Sequence, residues 1–176
     1  MTRLFLDTEF TGLHQGTTLI SLALVAETGE EFYAEFTDCD LDQVDDWIEE
    51  NVLSGLYLQT KHHAGPNTFE VLNNTEVIAM TLSKWLRQFE SSVEIWSDVL
   101  AYDFVLFCEL FGGAQNLPSN VFYIPFDLAT VFKLKGLDPD LNREEFAALS
   151  DSSLPQHNAL RDARVQRRCF EICMSK

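Results

Sequence analysis

Residues 18 to 37 read TLISLALVAETGEEFYAEFT, and this stretch restricts the fold more than any other. Thr18 to Glu27 and Glu31 to Thr37 are strand-length runs rich in apolar, β-branched and aromatic residues, and Thr28-Gly29-Glu30 between them is a hairpin-type turn. Leu4-Phe5-Leu6-Asp7 ahead of them is a shorter apolar run. Three N-terminal strands follow, the last two antiparallel, and such a sheet needs a cover. The rest of the chain supplies it. Leu41 to Val52 reads as a helix with acids in its first turns, where the helix dipole favours them. Thr75 to Phe89 places Ile78, Leu82, Trp85, Leu86 and Phe89 on one helical face, with Asn74 or Thr75 as N-cap.

Val93 to Trp96 then reads as a buried strand, Tyr102 to Phe111 as a helix stopped by Gly112-Gly113, and Val121 to Phe126 as a further strand. Pro125 cannot donate to a central ladder, which places that last strand at an edge. Leu128 to Leu134, Arg143 to Leu149 and a long closing segment from about Asn158 to Met174 complete the helices. Strands and helices alternating after a hairpin predict an α/β fold, a mixed sheet flanked by helices. No repeat and no low-complexity linker divides residues 1–176, so a single domain is expected. Trp47, Trp85 and Trp96 are expected in the core, His14, His62 and His63 in loops, and Tyr57 to Asn73 as a mobile flap.

Charge narrows the function. Against 28 Asp and Glu stand 12 Lys and Arg, a net charge of −16. That argues against coating a duplex or an anionic membrane by bulk attraction. An acidic protein still acts on a polyanion where metal ions and a local basic strip handle the phosphates. The acid excess lies in residues 1 to 60, whereas the last quarter is slightly basic. The longest apolar run, Leu19 to Ala26 with Ser21 inside it, is far short of the about 20 residues a membrane helix needs. Acids in the first nine residues leave no room for an export signal. Cys39, Cys108, Cys169 and Cys173 form no C-x-x-C pair and read as reduced thiols of a cytoplasmic protein.

Three places carry candidate chemistry. Asp7 and Glu9 lie two apart on the first strand, so their carboxylates share one face and converge. Held together uncompensated they repel, and a divalent cation between them removes that penalty. In isolation a D-x-E pair is most often a solvated strand end. Near the C-terminus stands His157-Asn158-Ala159-Leu160-Arg161-Asp162-Ala163. Asp162 falls at the edge of the apolar stripe formed by Val165, Cys169, Ile172 and Cys173, aimed inward or at a cleft. His157, behind the loop Ser150-Asp151-Ser152-Ser153, is an imidazole able to take a proton from water near neutral pH. Asp103, set among apolar residues at a helix start, is either a dipole partner or a functional acid, and Asp98 competes for that role.

In this order the residues make the sequence resemble the DEDDh branch of the 3′-to-5′ exonucleases, which have a ribonuclease-H-like fold. Asp7-Thr8-Glu9-Phe10-Thr11-Gly12-Leu13 is close to that family's first motif, D-x-E-x-T-G-L. Glu94-Ile95-Trp96 followed by Ala101-Tyr102-Asp103, Leu117-Pro118, and the stretch from His157 to Arg164 look like the compact mycobacterial-type exoribonucleases of that branch. One departure is Val99, where many relatives place an Asn four residues before the middle Asp.

The resemblance implies that Asp7, Glu9, Asp103 and Asp162 bind two Mg2+ or Mn2+ ions and that His157 is the general base. Hard oxygen ligands agree with those metals. It implies also that Thr8, Phe10, Thr11, Gly12 and Leu13 form the pocket for the terminal nucleotide. Arg161, Arg164 and Arg168, with Arg167 beside them, recur as a ridge that either guides phosphates towards the site, with Arg161 the expected substrate contact, or is simply a solvated helix face. The expected activity is release of nucleoside 5′-monophosphates from single-stranded 3′ ends, RNA ahead of DNA, by a protein with no membrane partner that can form a homodimer. The alternative is a non-catalytic domain of the same fold that binds a nucleic-acid end or a protein.

Overall fold

The computed structural model describes residues 1–60, 64–149 and 154–175. His62, His63 and residues 150–153 lie outside the described residues. Six strands form one sheet: β1 (Thr2–Phe10), β2 (Leu19–Ala26), β3 (Glu31–Phe36), β4 (Thr68–Asn73), β5 (Val93–Ser97) and β6 (Phe126–Asp127), in the order β4-β3-β2-β1-β5-β6. β2 runs antiparallel to β1 and β3, whereas the β3–β4, β1–β5 and β5–β6 pairs are parallel. Gly29, at φ 110, takes the left-handed conformation that the tight turn between β2 and β3 requires.

The helices are α1 (Asp46–Asn51), α2 (Thr75–Leu86), α3 (Ala101–Glu109), α4 (Leu128–Leu134), α5 (Arg143–Ala147) and α6 (Ala159–Ser175). Strand alternation decides which helix meets which face. Leu4, Leu6, Leu22, Leu24 and Phe32 point to one side and pack on Ile78 and Leu82 of α2 and Leu106 and Phe107 of α3. Phe5 and Trp96 point to the other side, against Val165, Cys169 and Phe170 of α6 and Leu128 and Phe132 of α4. Ala23, Val25 and Tyr33 meet Leu160 and Ala163 of α6 on that same side. Because Asp7 and Glu9 are in step with Phe5, they face α6. All eight residues of β2 are buried, as a central strand covered on both faces must be.

Several expectations need correction. β1 continues well past Leu4 to Asp7, because pairing with β2 persists through Glu9↔Ser21 and Phe10↔Leu19. The register slips between Glu9 and Phe10, and Ile20, skipped there, packs against Ile48 and Val52. The single helix expected over Leu41 to Val52 is broken into a 3-10 turn at Leu41–Gln43, the short α1, and a second 3-10 turn at Leu53–Gly55. Two aspartates cause the break: the Asp40 and Asp45 side chains each cap a separate start, accepting from the Asp42 and Ile48 N–H groups. Within the stretch expected as a flap, Thr68–Asn73 is the edge strand β4, registered on β3 from Glu31↔Thr68 to Phe36↔Asn73. The edge strand expected at Val121 to Phe126 is the two-residue β6, with Val121 bridging Val93 alone.

No helix among the described residues is long and apolar enough to cross a membrane. Leu82→Ala, at a position of α2 with no exposed surface, removes about 3 kcal/mol. For a chain of this size thermal denaturation should show that as a loss of roughly 6 to 12 °C in Tm.

Candidate active site

Three elements bring the carboxylates together. β1 contributes Asp7 and Glu9, the first turn of α3 contributes Asp103, and the first turn of α6 contributes Asp162. They line one cleft of about 500 Å³ with His157, Thr8, Phe10, Gly12, Leu13 and Trp47. Ligand atoms of Glu9, His157 and Asp162 all lie within 4.8 Å of one another. The five polar residues singled out in the sequence therefore meet at one place, although 155 residues of chain separate Asp7 from Asp162.

Their orientation is set by neighbours. Asp103 is buried, and its Oδ1 accepts from the Thr8 N–H at 2.9 Å and the Thr8 hydroxyl at 2.7 Å. Its Oδ2 accepts from the Ser97 hydroxyl at 3.1 Å, so β1 and β5 both hold the α3 acid. Asp7 Oδ1 accepts from Gln166 Nε2 at 2.8 Å, and Gln166 is itself buried one turn along α6 from Asp162. Asp98 is occupied elsewhere: Arg143 reaches its two oxygens at 2.7 and 3.0 Å, which leaves the acid role at this strand end to Asp103. The Asp162 N–H donates to the Asn158 carbonyl as α6 begins, and His157 just before takes φ 55, a left-handed conformation uncommon outside glycine.

Electrostatics at the cleft are one-sided. Among the described residues, no Lys or Arg lines it. Burial, then the charges of Asp162 and Asp103, pushes Glu9 up to about 8. Burial raises Asp162 to about 7, against the opposing pull of Arg161, and Asp103 to about 6 despite the Thr8 and Ser97 hydrogen bonds. Asp7 rises well above the ordinary carboxylate range by burial and by the charges of Asp162, Asp103, Glu9 and Asp98. Four oxygen donors that repel one another fit hard divalent cations, and no thiol is among the described residues that line the cleft.

The expected substrate contacts divide. Thr8, Phe10, Gly12 and Leu13 line the cleft, with Leu13 77% exposed and Phe10 stacked on Tyr102 at 5.4 Å. The Thr8 hydroxyl is engaged with Asp103. The place a side chain at Gly12 would take is filled by the His14 ring. Thr11 is buried instead, donating to Gln43 Oε1 at 2.6 Å and accepting from the Thr18 N–H, so it braces the loop after β1. Arg161 is not brought to this cleft: it pairs with Glu144 at 2.8 Å and donates to the Leu154 carbonyl. Arg164 pairs with Glu31, and Arg167 and Arg168 both pair with Glu171, so the expected phosphate guide is an ion-paired ridge.

Trp47 was expected in the core and is not there. It is 53% exposed at the first turn of α1, edge-on to the His157 ring at 5.0 Å. α1 is so short that Ile48 is its buried residue, and the adjacent indole is left to the cleft. Isolated aromatics in a helical run carry no sequence signal that separates a cleft wall from a core. Gln166 was also missed: it is a polar residue inside an apolar stripe, and only its partner Asp7 shows what it does. Val99 lies at the rim of a neighbouring cleft of about 390 Å³, which shares Asp7 and Asp162 with the first. It is exposed and at φ 53, a conformation that an Asn enters more readily than a β-branched side chain.

A mixed sheet carrying such an acid cluster is that of the ribonuclease-H-like nucleases. The nuclease domain of 3′hExo, a DEDDh family member solved bound to rAMP, superposes with a TM-score of 0.52 at 14% identity, over 99% of this chain and 92% of that one. That likeness shows the fold. In sequence, residues 2–174 match the family described as the 3′-5′ exoribonuclease Rv2179c-like domain. Rv2179c, a 3′-5′ exoribonuclease of Mycobacterium tuberculosis (strain H37Rv), is 31% identical over 176 residues, 98% of this chain and 94% of its own. MT2234.1, named likewise in strain CDC 1551, matches to the same extent. The chain belongs to the Rv2179c-like 3′-5′ exoribonuclease family.

The raised carboxyl groups make a pH prediction. Their folded-state values of about 6 to 8 exceed the ordinary value of about 4, so the folded protein holds extra protons at intermediate pH. The stability this confers is complete below about pH 4 and is lost as pH rises towards 8. In EDTA, Tm should fall between about pH 5 and about pH 8, and Glu9→Gln should flatten that fall, as followed by differential scanning calorimetry.

Proposed function

We propose that this chain is a 3′-to-5′ exonuclease that acts on single-stranded 3′ ends, RNA ahead of DNA, and releases nucleoside 5′-monophosphates. The observation that carries the reading is the meeting of His157 with Glu9 and Asp162 within 4.8 Å, at a cleft that also holds Asp7 and Asp103. A module that only bound an end would have no use for an imidazole at that point.

Asp7, Glu9, Asp103 and Asp162 would hold two divalent cations, Mg2+ or Mn2+. Bound there, the cations supply positive charge to the scissile phosphate and its leaving oxygen and acidify the attacking water. The residues themselves do the rest. Thr8 and Ser97 fix the Asp103 carboxylate, and Gln166 fixes that of Asp7. His157 takes the proton of the attacking water through whichever ring nitrogen faces the cleft. Leu13, Phe10 and the exposed Trp47 offer apolar surface to the terminal nucleotide, and stacking on an indole is indifferent to base identity. With the α6 arginines ion-paired, grip on the strand comes from the terminal nucleotide and the scissile phosphate more than from a long phosphate track. Four free thiols fit a reducing compartment, the cytoplasm.

A 5′-labelled oligoribonucleotide with Mg2+ or Mn2+ should give a ladder shortening from its 3′ end. Asp7→Ala should abolish the ladder, and His157→Ala should lower kcat by roughly 10²- to 10⁴-fold. A wild type inert with both metals on both RNA and DNA sinks the reading. Trp47→Ala should raise KM about tenfold, the scale of one lost base stack, with a smaller effect on kcat measured in the same assay.

A further inference from the structure

Below the cleft, on the α6 side of the sheet, lies a carboxylate that the proposed reaction does not use. Glu35 on β3 is 1% exposed. Its Oε1 accepts three hydrogen bonds: from the Tyr33 hydroxyl at 3.0 Å, the Tyr57 N–H at 2.7 Å and the Leu58 N–H at 3.1 Å. Its Oε2 is buried with no hydrogen-bond partner among the described residues. A carboxylate so withdrawn from water is costly, and an apolar side chain would serve packing alone better. The hydroxyl of Tyr33 leads onward. It accepts from Asn158 Nδ2 at 3.2 Å, while the Asn158 Oδ1 accepts the Leu160 and Arg161 N–H groups at the start of α6. The same Nδ2 reaches the Gly55 carbonyl at 3.3 Å. Next to Asn158 stands His157 in its left-handed conformation.

We infer that Glu35 and Tyr33 are positioning residues for His157: the buried chain from Glu35 through Tyr33 to Asn158 fixes the backbone from which the imidazole enters the cleft. This rests on the reading of His157 as general base. A strained φ persists only where surrounding contacts over-determine it, and these bonds provide that determination. Burial and the neighbouring Glu35 charge keep the Tyr33 phenol protonated, so it remains a donor to the carboxylate. Through the Tyr57 and Leu58 N–H groups, Glu35 also ties down the chain following Val52 and α1, which form the opposite wall of the cleft. One buried side chain is thus hydrogen-bonded towards both the Trp47 wall and the His157 wall. Tyr33 stacks on Tyr57 at 4.9 Å, so removing only its hydroxyl leaves the packing in place.

The test is a double-mutant cycle on RNA cleavage. Tyr33→Phe should lower kcat about tenfold with KM within about twofold, the scale expected for a group that orients an active-site side chain. In a His157→Ala background the same change should alter kcat less than about twofold, because its route to the reaction is already gone. The rise in Tm on adding Mn2+ should be the same in Tyr33→Phe as in wild type, since Asp7 is held by Gln166 and Asp103 by Thr8 and Ser97, outside this chain of bonds. Equal fractional losses in both backgrounds, an unchanged kcat in Tyr33→Phe, or a lost Mn2+ response would overturn the inference. A His157→Ala protein as active as wild type would instead overturn the assignment of the base. If Tyr33→Phe folds poorly, Glu35→Gln, which keeps one acceptor oxygen for the two backbone N–H groups, runs through the same cycle with the same criteria.

Discussion

Four carboxylates held in one partly buried cleft repel one another, and much of the surrounding fold works against that repulsion. Asp7, Glu9, Asp103 and Asp162 come from three separate elements, so nothing local in the chain forces them together. The force is tertiary: Phe5, Val25, Val165 and Phe170 bury the interface between α6 and the sheet. Hydrophobic burial, not charge, determines the site's position.

The groups around the acids act as fixed dipoles. Asp103 receives three hydrogen bonds from β1 and β5, and Asp7 receives one from a buried Gln166. At the outer edge, Arg164 grips Glu31 through two hydrogen bonds of 2.8 and 2.7 Å, and this pair holds Glu31 below the usual carboxylate range. It fastens α6 to β3 on the side away from β5. Within the arginine ridge, Arg164 clasps helix to sheet, Arg161 pairs with Glu144 of α5, and Arg167 and Arg168 pair with Glu171 on α6 itself. The ridge's helical spacing was legible, but that Glu31 would stand opposite Arg164 was not, because that acid lies 133 positions away along the chain.

The same division runs through the rest of the chain. The hairpin of β2 and β3 and the amphipathic α2 were readable because their periodicity is local and both faces or one stripe are buried. The four acids and the histidine were readable because each sits at an element start or strand position whose chemistry the spacing exposes, and because they resemble a known pattern. β4 was missed since an edge strand half open to solvent has neither a continuous apolar run nor a clean alternation, Phe69 being 49% exposed. Trp47 was assigned to the core because a lone indole in an acidic helix does not say which way it faces. Glu35 and Gln166 were silent for a related reason. A polar residue inside a strand or stripe becomes informative only when its partner is known, and here the partners are Tyr33 and Asp7.

The pairing of the α6 arginines with Glu144, Glu31 and Glu171 has a kinetic consequence. Cations so neutralised cast little field beyond the surface, and the net charge of −16 is what an approaching polyanion feels first. Encounter with RNA is then slowed by long-range repulsion rather than steered, the reverse of the common arrangement in nucleic-acid enzymes. Added monovalent salt shortens the Debye length from about 30 Å at 0.01 M to about 10 Å at 0.1 M. Over that range the association rate should rise rather than fall, so that ionic strength acts on this enzyme as a permissive condition.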